Sequence, residues 1–126
     1  MTRSFEDEQA RSLSELSEAV CAFADERLWS QFHDPKSLAM ALASEAGEML
    51  AILRWTSSND ADSAVSAGPR RDALFAEIGD VGICLLLLCA RTRIDLSEAI
   101  ASKLRQNAVK YPVELSRGLA EAPRII

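Results

Sequence analysis

The stretch "AEIGDVGICLLLLCA", Ala76–Ala90, decides the fold. Two acids, Glu77 and Asp80, stand at the mouth of an apolar run that shows neither proline nor strict alternation, which reads as a buried helix and not as a strand. Val81, Ile83 and Leu85 to Leu88 make this helix apolar nearly all round, so in a short chain it must be sandwiched, most simply by another subunit. The run Val81–Ala90 is about half of what a bilayer demands. With no charged-apolar-small leader pattern at the start of the chain, the expectation is a soluble, cytoplasmic protein without a membrane partner.

Working outward, this helix covers about Arg70 to Thr92. Before it, "TSSNDADSAVSAGP" is small, polar and without periodicity, which predicts a flexible loop over about 56–69. Asp34 and Pro35 form an N-cap and first-turn pair for a helix reaching Arg54. Leu13, Leu16, Val20 and Phe23 recur at steps of three and four, predicting a helix over 12–28, with Ser12 and Glu15 as its capping box. A last long helix starts at Asp95, with Glu98 completing a similar cap, and ends at Tyr111-Pro112. Residues 116–126 read as a tail. No strand pattern competes and no internal repeat is found. The fold class is all-α: an antiparallel helical bundle of four main helices per chain, a single domain with its core over about 12–113.

The bulk properties narrow the function. At 126 residues the chain has the length of one domain, and 19 acidic against 14 basic residues give a formal charge of −5. No Lys/Arg cluster is dense enough to neutralise a row of phosphates, which argues against a nucleic-acid partner. Cys21, Cys84 and Cys89 are odd in number and lack zinc-site spacing, so they read as reduced thiols.

The acids carry the chemistry. Ala41, Glu45, Glu48, Ile52 and Trp55 follow a single core-facing stripe of one helix, and Ala73, Glu77, Asp80, Cys84 and Leu87 follow the same spacing on the next. Four carboxylates on facing stripes repel one another, and burying each alone costs several kcal/mol, so something cationic must gather them. An all-oxygen ligand set points to Mg²⁺, with Mn²⁺ possible, over zinc. A di-iron site wants Glu-x-x-His ligands, and the single histidine, His33, lies in a loop. The bland alternative for either acid pair alone is a solvated helix face.

"SEAGEM", Ser44–Met49, followed by "EIGD", Glu77–Asp80, resembles the ExxE…ExxD signature of the all-α, MazG-like nucleoside triphosphate pyrophosphohydrolases. "WSQFHDPKSL" and "KLRQNAVKYP" follow the WxQFHxPxxL and KxxxNxxKYP patterns of its dCTP pyrophosphatase branch, in order, and the resemblance runs to Gly118. It implies a homodimer or tetramer that hydrolyses a nucleoside triphosphate, dCTP or a modified pyrimidine relative, to monophosphate and pyrophosphate with Mg²⁺. Glu45, Glu48, Glu77 and Asp80 would hold metal and do the catalysis, with Glu48 taking the proton of water. Lys103, Asn107 and Tyr111, at i, i+4, i+8, would contact the triphosphate; without the family they read as a solvated helix end.

Trp29, His33 and Trp55 form the expected base pocket, the two tryptophans bordering the acid stripe and able to sandwich a flat base. Against that, aromatics also seal bundle ends, which is the preferred reading for Phe32, and His33 either reads the ligand or fixes its turn by hydrogen bonding. The chain departs from dCTP-specific relatives at Cys84, where they carry a tyrosine, and at Val20, where they carry a histidine. Such a wall either admits a 5-substituted pyrimidine or relaxes selectivity. Gly47, Gly79 and Gly82 are expected to allow close helix approach around the metal. Two other readings are a broad-specificity pyrophosphohydrolase and a non-catalytic nucleotide-binding or oligomerisation module.

Overall fold

Three capping side chains set where the long helices begin. In the computed structural model, which describes residues 11–120, Ser12 accepts from the Glu15 amide and opens α1 (Leu13–Glu26). Asp34 accepts from the Ser37 amide at 3.0 Å and, with Pro35 in the first turn, opens α2 (Pro35–Leu53). Asp95 accepts from the Glu98 amide at 2.8 Å and opens α5 (Leu96–Lys110). Each cap satisfies a first-turn N–H that the helix itself cannot bond. Pro69 opens α4 (Pro69–Thr92), the helix around which the first half is built. Two short helices complete the set, α3 (Ser58–Ala64) and α6 (Val113–Ser116), and a 3-10 turn covers Ser30–Phe32. The described residues hold helices and no strand, so the all-α expectation holds. Residues 121–126 of the expected tail lie outside the described residues.

The chain forms two compact units, Met1–Arg93 and Ile94–Ile126. In the first, α4 lies along α2 and also packs on α1. The second contains α5 and α6, and the Arg105–Glu98 ion pair (2.9 Å) braces α5 along its exposed side.

Where a flexible loop is expected over 56–69, the structure has α3. Ser57 adopts the extended conformation of a cap, its hydroxyl donates to Asp60 at 2.9 Å, and Asp60 sits in the first turn where the helix dipole favours an acid. Ala61, Ala64 and Val65 are its partly buried side. Two helical turns offer too few apolar positions for a period to show in the sequence. Arg70 then clamps the α2 end, donating to the Ile52 carbonyl at 2.7 Å and to Thr56 Oγ1 at 2.6 Å.

The exit from α1 is a Schellman motif. The Trp29 amide donates to the Ala24 carbonyl at 3.0 Å and the Leu28 amide to Asp25 at 3.0 Å, while the Trp29 ring meets Phe23 edge-on with centroids 5.8 Å apart. Leu28 holds the left-handed position, at φ 55°, that glycine ordinarily fills.

Buried apolar side chains among the described residues are few: Ala24, Leu38 and Leu86. Large ones stand open instead, with Phe75 80% and Trp55 86% exposed. The helix α4, at 24 residues, is longer than the apolar run inside it and is long and apolar enough by length and composition to cross a membrane, as core helices of soluble bundles also are. A Cβ added at Gly47, Gly79 or Gly82 meets nothing within 4 Å, so within one chain these glycines do not serve the expected close helix approach.

Leu28→Gly tests the strain at the α1 exit. Leu28 is 72% exposed, so relief of the left-handed leucine outweighs the lost contacts and the added chain entropy. The expected gain is about 0.5–1 kcal/mol, or a few degrees in Tm. A fall in Tm would show that the side chain is covered in solution.

Candidate active site

The acid site is a product of helix periodicity. Glu45 and Glu48 are three apart on α2, Glu77 and Asp80 three apart on α4, and packing of α4 along α2 turns the two pairs toward each other. Carboxylate oxygens of Glu45, Glu48 and Glu77 all lie within 4.8 Å of one another. Asp80 falls outside that set, but its charge acts on Glu45. Glu45 and Glu77 are partly buried, and Glu48 is exposed. The Oε2 atoms of Glu45 and Glu77 are sealed from solvent without a hydrogen-bond partner.

Electrostatics follow from that geometry. With both groups ionised, acceptors face each other with no donor between them, so a proton shared with Glu77 is the largest influence on Glu45. Loss of water and repulsion from Glu48, Asp80 and Glu77 add to it, and the Glu45 carboxyl is held up at about 7. Cys84, one turn beyond Asp80, has its thiol pushed up by burial and then by the charges of Glu45 and Asp80, which keeps it protonated beside the acids. A hard divalent cation fits this set: the donors are all oxygen, and the two orphaned Oε2 atoms need a positive partner.

The aromatic residues do not gather as expected. Trp29 precedes α2 and Trp55 follows it, and 19 residues of helix put about 28 Å between those ends. Within one chain the two rings therefore do not sandwich a common base. Trp29 is 44% exposed and leans on Phe23, whereas Trp55 stands in the open with the Arg54 guanidinium 5.3 Å from its ring centroid. His33 closes the 3-10 turn through its main-chain N–H, which donates to the Ser30 carbonyl at 3.1 Å; its ring is partly buried.

Lys103, Asn107 and Tyr111 belong to the second unit. They keep their one-face spacing on α5, with Lys103 exposed and Asn107 and Tyr111 partly buried. The Asn107 carbonyl accepts the Tyr111 amide at 2.8 Å, and the Lys110 ammonium lies 5.4 Å from the Tyr111 ring centroid. Two arginines escape the sequence reading. Arg70 caps α2, and Arg91 donates to the Ser30 carbonyl at 3.2 Å. Arg91, in the last turn of α4, looks like a simple complement to the dipole, Arg70 in the first turn has no such reading, and only the fold shows what they bond.

No protein-family model matches the sequence. The chain is 39% identical over 109 residues to mouse dCTP pyrophosphatase 1, covering 86% of this chain and 64% of that protein. It is 37% identical to the human dCTP pyrophosphatase 1 over 106 residues, or 84% and 62%. It thus spans just under two thirds of the length of these curated relatives. A pyrophosphatase of known crystal structure from Archaeoglobus fulgidus superposes with a TM-score of 0.76 at 35% identity, covering 83% of this chain and 96% of that one.

The raised Glu45 carboxyl fixes the sign of a pH effect. Such a group favours folding fully below its ordinary value of 4.5 and loses that contribution as pH rises through about 7. Thermal melts of metal-free protein should therefore show Tm falling across this window, and Mg²⁺ should raise Tm most on its alkaline side, where Glu45 is ionised. A metal-free Tm that is flat there in wild type would contradict the facing-carboxylate geometry.

Proposed function

The chain belongs to the all-α, MazG-like nucleoside triphosphate pyrophosphohydrolase superfamily, in its dCTP pyrophosphatase branch, and from this we propose that it hydrolyses dCTP or a modified pyrimidine relative to the monophosphate and pyrophosphate, with Mg²⁺. The observation that carries the reading is the meeting of Glu45, Glu48 and Glu77 oxygens within 4.8 Å on two packed helices. The names of the relatives, dCTP pyrophosphatases and a pyrophosphatase, support the same reaction class.

Glu45, Glu48, Glu77 and Asp80 would hold the metal. Bound there, Mg²⁺, or Mn²⁺ in its place, supplies positive charge against the phosphate oxygens and favours ionisation of water. Glu48, the most open of the clustered three, is the proposed acceptor of the proton as the water oxygen bonds to the α-phosphorus and the bond to the bridging oxygen of pyrophosphate breaks. Trp29 and His33, in the turn before α2, and Trp55 after it, are the proposed base contacts. For Lys103, Asn107 and Tyr111 the proposed role, holding the triphosphate, rests on the KxxxNxxKYP pattern alone. Residues 12–113 are proposed to act as one catalytic domain, in the cytoplasm.

Self-association as a dimer or tetramer is part of the reading. Exposed Phe75, Trp55, Leu50 and Met40 lie in the unit that carries the acids, and a second copy is the simplest cover for them. Selectivity is the open branch: the protonated, partly buried thiol of Cys84 next to the acids favours a compact apolar wall, compatible with a 5-substituted pyrimidine or with broad specificity.

The test is turnover of each common NTP and dNTP, with 5-methyl-dCTP, followed by ion-exchange separation of products. Monophosphate and pyrophosphate from a pyrimidine subset are expected. Glu48→Gln and Glu77→Gln should each lower kcat by at least about 100-fold with helical circular dichroism retained. Unchanged turnover in either variant would remove the acids from the reaction, and silence across the panel would favour a binding module.

A further inference from the structure

Ser30 lies in the 3-10 turn between Trp29 and His33, and its carbonyl accepts two hydrogen bonds. One is local, from the His33 amide at 3.1 Å; the other comes from Arg91 Nη1 on α4 at 3.2 Å, across 61 residues of sequence. The other bonds holding this turn are short-range. The Gln31 side chain donates to the Leu28 carbonyl at 2.8 Å, the Phe32 amide to Trp29 at 2.9 Å, and the Trp29 amide to Ala24 at 3.0 Å. Local bonds give the turn its shape. The packing of α1 and α2 on α4 places the two ends of the turn beside the helix that carries Glu77 and Asp80.

Arg91 bonds the turn between those ends to the same helix. It sits on α4 itself, C-terminal to Asp80 by a stretch of continuous helix that spans about 16 Å at 1.5 Å per residue. A helix is a stiff rod, so a bond from its last turn to the Ser30 carbonyl fixes the aromatic turn at a set distance from the acids. A guanidinium suits the task, since it stays charged and reaches a carbonyl with a planar fork that lysine lacks.

From this we infer that Arg91 is a positioning residue for base recognition: it holds the Trp29–His33 turn in register with the acid site through the Ser30 carbonyl. The inference rests on the proposed nucleotide reading for its kinetic consequence, but the latch itself can be read without any turnover. The competing account is a cation that merely complements the α4 C-terminus; it predicts a loss of stability and nothing else.

Arg91→Ala and Arg91→Lys separate the two. Loss of the charge-assisted bond in Arg91→Ala should raise KM for dCTP by about 5- to 20-fold, with kcat little changed and inhibition by pyrophosphate, which lacks the base, unaltered. Arg91→Lys should fall between Arg91→Ala and wild type. With Trp55→Phe as background, Trp29 is the single tryptophan, and its emission should become more quenchable by acrylamide when Arg91→Ala is added. The inference is overturned if Tm alone falls, if KM and pyrophosphate inhibition shift together, or if Trp29 quenching is unchanged. Should wild type turn over no nucleotide, the functional reading fails, and the quenching comparison still decides whether Arg91 holds the turn. If Arg91→Ala does not fold, Arg91→Lys carries both measurements.

Discussion

Everything in the first unit is arranged around carboxylates that face one another between two packed helices. Glu45 and Glu77 each keep an oxygen out of water with nothing to bond it, while Glu48 and Asp80 add charge from the next turns. Two apolar side chains at those positions would pack with less electrostatic cost. The donor set suits a cation, and α2 and α4 are the rigid elements that hold its geometry.

A second constraint is the shortage of core. Ala24, Leu38 and Leu86 are the buried apolar side chains of the described residues, against exposed Phe75, Trp55 and Leu50. The proposed second copy would cover this surface, and the glycines of α2 and α4, with open space over them, present smooth backbone on uncovered faces. The separation of Trp29 and Trp55 by the length of α2 points the same way. If both touch one base, they must come from different copies.

The long helices were legible in the sequence because their signals are local. Ser12, Asp34 and Asp95 cap where their residue types say they should, and Tyr111 ends α5 before Pro112. The acid pairs were legible because a spacing of three on an apolar stripe fixes their face, and the packing of α4 on α2 did the rest. What stayed hidden depends on distance or on short range. The two turns of α3 are too brief for periodicity, the left-handed Leu28 carries no glycine to announce it, and the Arg91–Ser30 bond joins residues that no local pattern relates. The distance between the two tryptophans was legible too, since the helix expected from Pro35 to Arg54 is the one that separates them.

The central claim is that the acids direct water to the α-phosphorus of a nucleoside triphosphate. Turnover of dCTP in heavy-oxygen water, with mass spectrometry of both products, tests it most directly. The account predicts the label in the monophosphate and none in the pyrophosphate. Label in pyrophosphate, or release of labelled orthophosphate, would place the attack at another phosphorus and contradict the account.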